Sequence, residues 1–313
     1  MKYAAIAGLT LLAGQLATAQ QAEPAPDWVK SPFGSEDRLG AVNYITPEKT
    51  LAASKLITTG KTYALGMITG RGTATTPPRE FDVYITRGGD GSGAVATENE
   101  VTSNDDMLQT FVGIGSQIDG FGHMGIGFRH YNGVHVRDFV TQTGVTEFGT
   151  EKLPPIATRG ILLDMTKVFG ESTLPDGTEI NRAEIDQALA AADLTLEQGD
   201  IVILHTGKMA ATEGKPFAAP QPGLGVEGAQ YLADAGVVAV GADNWALEVI
   251  PFENPRRPYE VHQTLLTVNG VYILENMVTA ELAADNVTEF FFSLGVPRWE
   301  GTVQMVINPV AIK

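Results

Sequence analysis

Short apolar runs with polar ends alternate with amphipathic segments through the second half of this chain. Arg159-Gly160-Ile161-Leu162-Leu163-Asp164-Met165, Asp200-Ile201-Val202-Ile203-Leu204-His205-Thr206-Gly207 and Val237-Val238-Ala239-Val240-Gly241-Ala242-Asp243 each read as a buried strand. Between them, Asn181 to Ala191 and Val226 to Ala235 read as helices, the first with Asn181 and Glu184 in capping-box positions. Strands alternating with helices predict an α/β sheet whose strand ends carry the site. The first half is less regular. Thr46 as N-cap and Pro47 at the first helical position start a helix to about Ile57, closed by Gly60. Lys61 to Ile68 and Phe81 to Thr86 read as strands, and the Gly-, Thr- and Pro-rich stretches Gly70 to Glu80 and Gly88 to Ala96 as loops.

Near the C-terminal end, Pro258 to Val268 is followed by Asn269-Gly270 and the strand Val271-Tyr272-Ile273-Leu274-Glu275. Asn-Gly suits a hairpin turn, which would set His262 diagonal to Glu275. It equally suits a helix C-cap. Val261, Leu265 and Val268 fall at helical spacing and favour the helix.

The N-terminus changes the picture of where the protein works. Lys2 precedes the apolar stretch Ala4 to Leu12, and Ala17-Thr18-Ala19 fits a small-residue cleavage site. The expectation is a removable signal over residues 1–19 and one domain over 20–313, exported to the periplasm or beyond. No later stretch approaches the ~20 apolar residues of a membrane span. The chain has no cysteine, so thiolate metal sites and cysteine nucleophiles are excluded, and any metal must use His, Asp, Glu, Gln or backbone oxygen. A formal net charge of −16 opposes binding to nucleic acid and to anionic membranes and says little more about function.

Candidate chemistry concentrates in Gly115-Ser116-Gln117-Ile118-Asp119-Gly120-Phe121-Gly122-His123, where a carboxylate and an imidazole stand four residues apart between glycines. Glycines admit tight turns and close ligand approach. A carboxylate and an imidazole together hold a divalent metal or move a proton beside one. Of the five histidines, His205 sits in an apolar strand, as a core histidine in preference to a strand-end site residue, and His130 and His135 flank the turn Tyr131-Asn132-Gly133 as loop histidines, with His130 also placed to line a pocket. Glu275 ends an apolar strand, where burial is costly unless a cation or hydrogen bonds compensate. Gly223-Leu224-Gly225-Val226-Glu227-Gly228 matches the dinucleotide pattern but follows a proline-rich loop rather than a strand. Ser116 lacks the surroundings of a nucleophile elbow.

Together these segments resemble the cyclase family of metal-dependent hydrolases, which includes bacterial kynurenine formamidase and isatin hydrolase. The family pattern H-x-G-T-H-x-D-x-P-x-H lies over Gly113 to His123, and Asp37-Arg38-Leu39-Gly40-Ala41-Val42-Asn43 and the three core strands match as well. The resemblance implies a single-domain swivelling β/β/α fold, cyclase-like, with a mixed central sheet, and a homo-oligomer. It implies metal ligation by Gln117, Asp119, His262 and Glu275, and His123 as catalytic acid/base. Gly113 and Gln117 stand where the family carries two histidine ligands, so the expected cofactor is one divalent metal, Mn²⁺ or Zn²⁺, the oxygen-rich set favouring Mn²⁺. The implied activity is hydrolysis of an amide bond, arylformamidase-like, by metal-activated water, with a lactonase, a cyclase/dehydratase or a non-catalytic binding relative as alternatives. Phe121, Phe128, Tyr131 and Trp245 offer aromatic surface for a substrate ring, and Arg256 and Arg257 a hold on a substrate carboxylate.

Overall fold

Nine strands form one sheet: β1 (Thr62–Ala64), β2 (Gln117–Asp119), β3 (Ile156–Asp164), β4 (Ile201–His205), β5 (Ala239–Ala242), β6 (Tyr272–Glu275), β7 (Glu289–Leu294), β8 (Gln304–Val306) and β9 (Val310–Ile312). The computed structural model describes residues 30–73, 75, 77–87, 91–95, 97–212 and 220–313, and the predicted signal segment lies outside them. The strand order is β1-β9-β7-β3-β4-β5-β6-β2-β8. β3 through β6 run parallel, and every pairing outside them is antiparallel. The sheet is therefore mixed, as expected. Ile201, Val202, Ile203 and Leu204 of β4 and Val240 of β5 are all wholly buried, which is why these strands appear in sequence as unbroken apolar runs. β7 instead buries every second residue, Phe290, Phe292 and Leu294.

Four longer helical segments accompany the sheet. α1 (Pro47–Ser54) starts on Thr46, whose hydroxyl accepts from the Lys49 N–H, and stops short of the predicted Ile57. α2 (Arg182–Ala192) has the predicted capping box, with the Asn181 N–H donating to Glu184 Oε2 at 2.9 Å. α3 spans Val226–Asp234. α4 begins at Glu260–His262 and continues in wider π turns over Gln263–Asn269. The helix reading of this segment holds and the hairpin reading does not. Gly270, at φ 64°, ends the helix and sends its N–H back to the Leu265 carbonyl, while the Asn269 amide closes on the Thr264 carbonyl at 2.9 Å.

Several elements left little trace in the sequence. β2, β8 and β9 are three residues long, too short for alternation to register. Asn104–Thr110 pairs with Phe81–Arg87 as an antiparallel ribbon apart from the main sheet. The predicted strand 61–68 shrinks to β1, because the chain then turns across the Gly113–Gln117 region, where the Met67 N–H donates to Ser116 Oγ at 2.8 Å. The dinucleotide-like glycines serve packing: a Cβ on Gly223 would lie 2.4 Å from the Glu248 carbonyl carbon, so Gly223 lets its backbone lie against the loop that supports the site.

Candidate metal centre

The register of β6, β2 and β8 builds one polar face. Gln117 and Asp119, two residues apart on β2, point the same way. Glu275 on β6 lies opposite Gln117, and Gln304 on β8 lies opposite Asp119. Ile118, Leu274 and Met305 take the other face and are buried in the core. α4 brings His262 to the polar face. The ligand atoms of Asp119, His262 and Glu275 all lie within 4.8 Å of one another. His262 Nε2 is 3.7 Å from Asp119 Oδ2 and 3.4 Å from Glu275 Oε1. The three residues are at most 4% exposed.

Two acids buried this closely need a cation. Asp119 Oδ2 and Glu275 Oε2 are buried and accept no hydrogen bond, whereas Asp119 Oδ1 accepts from Gln304 Nε2 at 2.7 Å and Gln117 Nε2 at 3.1 Å. The unused oxygens belong to the residues that converge with His262 Nε2. Burial, reinforced by the Asp119 charge, raises the Glu275 pKa. Burial disfavours charge on His262 as well, but the hydrogen bonds it donates to Glu248 and Glu275 outweigh it and push its pKa up to about 10. A proton on His262 thus supplies the positive charge when no metal does. The donor set of two carboxylates and one imidazole fits a divalent cation.

Glu248, which the sequence reading did not single out, orients His262. Its Oε1 lies 2.5 Å from His262 Nδ1, so Nδ1–H donates to the carboxylate and Nε2 faces the cluster, where it would give up its proton to bind a metal. The Ala246 N–H on the same loop donates to Glu275. This loop has left-handed backbone at Ala246 (φ 64°) and Leu247 (φ 60°), shared by Asn276 (φ 56°) next to Glu275 and Tyr259 (φ 59°) packed on His262. Such strain in non-glycine residues collects at functional sites. The one sequence signal for Glu248 is a lone acid within Ala246-Leu247-Glu248-Val249-Ile250. Glu248→Gln is expected to weaken divalent-metal affinity by about 10- to 100-fold, the usual cost of losing a partner behind a ligating histidine. Competition with a chromophoric chelator measures it, and unchanged affinity would remove Glu248 from the site.

His123 stands beside the cluster, with its side chain 20% exposed and Nε2 3.9 Å from Asp119 Oδ2. Burial lowers its pKa, and the neighbouring His262 and Arg79 add to the effect against the opposing pull of Asp119, so the ring is neutral at pH 7. Gln304 Nε2 lies 3.4 Å from His123 Nε2 as well as on Asp119, joining the two. Gln304 also explains Gly113. A Cβ there would lie 2.3 Å from Gln304 Oε1, so this carboxamide fills the space a side chain at 113 would enter. Gln117 has its amide nitrogen committed to Asp119. Gln304 too was missed in sequence, its only signal being a polar residue flanked by Val303 and Met305.

The other candidates fall elsewhere. His205 is buried with Nδ1 on the Thr279 hydroxyl at 2.7 Å, His130 Nδ1 bonds the Phe121 carbonyl at 2.7 Å, and His135 caps the short helix Val136–Phe139. Phe121 stacks on Tyr272 with ring centroids 4.3 Å apart, and Tyr131 packs on its other side, so both are core. Phe128 is 75% exposed. Trp245 is half-buried in the loop that carries Ala246 and Glu248. Arg256 and Arg257 are exposed, and Arg257 pairs with Glu260. The arginine that adjoins the site is Arg79, whose Nη1 donates to the Gly113 carbonyl at 2.6 Å.

The cyclase family's sequence profile matches residues 42–249, and the chain belongs to that family. A solved structure of a novel cyclase is 30% identical, with a TM-score of 0.79 over 90% of this chain and 98% of its own. Isatin hydrolase A from Labrenzia aggregata is 13% identical, with a TM-score of 0.57 over 80% of this chain and 93% of its own. A protein described as a predicted metal-dependent hydrolase from Bacillus stearothermophilus is 19% identical, with a TM-score of 0.51 over 81% and 98%. The last two share the fold. No curated protein matches the sequence.

Proposed function

We propose that this protein is a metal-dependent hydrolase that opens an amide bond, arylformamidase-like, in a small aromatic or cyclic molecule. The observation that carries the reading is the buried group Asp119, His262 and Glu275, with two carboxylate oxygens left without partners and a neutral His123 alongside. Asp119, His262 and Glu275 would hold one divalent ion, which when bound polarises the substrate carbonyl and acidifies a water. Its oxygen-rich donors favour Mn²⁺ over Zn²⁺. With Gln304 filling the space beside Gly113, the pocket suits one ion rather than two.

The remaining chemistry falls to the chain. His123 takes a proton from the attacking water and delivers it to the leaving amine nitrogen, for which a neutral, partly exposed imidazole is suited. Gln304, bonded to Asp119 and within reach of His123, fixes the base relative to the ligand set. Glu248 keeps His262 in the tautomer that presents Nε2. Membership of the cyclase family favours a second reading, lactone hydrolysis or a cyclase/dehydratase reaction on the same residues. Protein purified without chelator should hydrolyse formanilides in the presence of Mn²⁺ or Zn²⁺ and lose the activity in EDTA. Turnover of lactones alone would select the second reading, and no metal-dependent turnover of formanilides, cyclic amides or lactones would reject both.

A further inference from the structure

Arg79 is one of several cations of this acidic chain that meet no carboxylate among the described residues, and it is distinguished by its place beside the site. Arg38, Lys49, Arg71, Arg159 and Arg257 each meet a carboxylate, whereas half-buried Arg79 has no acid partner among the described residues. Its one hydrogen bond runs from Nη1 to the Gly113 carbonyl. A guanidinium carries five N–H donors in a planar fork, so most of its capacity is unspent. The position matters more than the vacancy. Gly113 backs onto the Gln304 carboxamide, which touches both Asp119 and His123. The charge of Arg79 is felt at both His123 and Tyr259, whose ring packs edge-on to His262 at 5.5 Å between centroids. Arg79 thus lies within electrostatic reach of two residues that adjoin the ligand group.

We infer that Arg79 is the anchor for a carboxylate on the substrate, and that the hydrolase acts on amides or esters carrying an anionic group near the scissile bond. This deepens the hydrolase reading and rests on it. A carboxylate matches the guanidinium fork with two parallel hydrogen bonds, which a neutral ring cannot form. A protein with a net charge of −16 repels anions, and a fixed cation beside the site offsets that repulsion locally. Arg79 is a specificity residue, and the proton transfers stay with His123.

The test uses the full-length protein, manganese-loaded and chelator-stripped, with anthranilate as the anionic probe and benzamide as the neutral one. Calorimetry should show that Arg79→Gln lowers the affinity ratio of anthranilate over benzamide by about 10- to 100-fold, the loss expected for a charge-assisted bidentate contact. Arg79→Lys, which keeps the charge and loses the fork, should fall between. A thermal melt confirms that each variant is folded. Equal weakening of both probes, an unchanged ratio in Arg79→Gln, or a wild type that binds benzamide as well as anthranilate would each overturn the anchor. Turnover of N-formylanthranilate separates the two ideas. Arg79-dependent binding without hydrolysis sinks the hydrolase reading and leaves the anion subsite, and hydrolysis with an unchanged KM in Arg79→Gln does the reverse.

Discussion

His123→Ala is expected to lower kcat by about 10²- to 10⁴-fold, the range for loss of a positioned general acid/base, while metal content stays at the wild-type level. The separation of the two effects follows from geometry. His123 lies outside the group of three ligand atoms, 3.9 Å from the nearest Asp119 oxygen and partly open to solvent. Its removal leaves Asp119, His262 and Glu275 with all their supports. The pH profile sharpens the test. Burial, with the charges of His262 and Arg79, lowers the His123 pKa from 6.5, and a bound cation would lower it further. The base must be neutral to accept a proton, so wild-type kcat/KM should rise with pH through an inflection below 6.5 and then level. That inflection should vanish in His123→Ala. A mutant of full activity, or one with the inflection intact, would take the proton transfer away from His123 and leave a silent binding protein as the simpler account.

Asp119→Asn should cut divalent-metal affinity by about 10²- to 10⁴-fold, corresponding to the 3–5 kcal/mol that removing one member of a buried charged group costs. Asp119 is wholly buried, and its Oδ2 is one of the two acceptors without a partner. The metal-free variant should melt no lower than the metal-free wild type, because the Asp119 charge adds to burial in opposing ionisation of Glu275. Loss of metal-induced stabilisation without loss of the fold is the signature sought, and a variant that still gains the wild-type increment in Tm would exclude Asp119 as a ligand. In the wild type, metal uptake should also release a proton. The metal-free His262 pKa of about 10 keeps the ring charged at pH 8, and ligation requires it neutral. Acidification of a weakly buffered solution on adding Mn²⁺ reads this directly. The linkage has a matching consequence for stability. The support His262 gives the metal-free fold is fully present below its unfolded pKa and is lost as pH rises through about 10.

Much of the fold was legible because burial leaves local marks. The runs around Ile161, Ile203 and Val240 are apolar at consecutive positions, as strands covered on both faces must be, and all three lie in the parallel centre of the sheet. Thr46-Pro47 and Asn181 with Glu184 mark helix starts because the orphan N–H groups there need particular partners. The hairpin and helix readings of 258–270 shared the same Asn-Gly signal, and the spacing of Val261, Leu265 and Val268 distinguished them. The site was less legible. Asp119 stood out in its glycine-rich run and Glu275 as an acid ending an apolar strand, but it was the family resemblance that joined them with His262 as one ligand set. Glu248 and Gln304 carry no motif, since one acts through a histidine ligand and the other fills room left by a glycine.

By itself, then, the sequence determined the α/β class, the parallel central strands and the absence of thiolate chemistry, because hydrophobic period, capping residues and composition are written within a few positions of one another. Only the tertiary structure decided that Gln117, Asp119, Glu275 and Gln304 share a face, that α4 lowers His262 onto it, and that Arg79 rather than Arg256 or Arg257 adjoins it. The reason is physical. β2 is three residues long and takes its place from β6 and β8, strands that come from far along the chain, so the register that gathers the acids is set by pairing and not by any local preference.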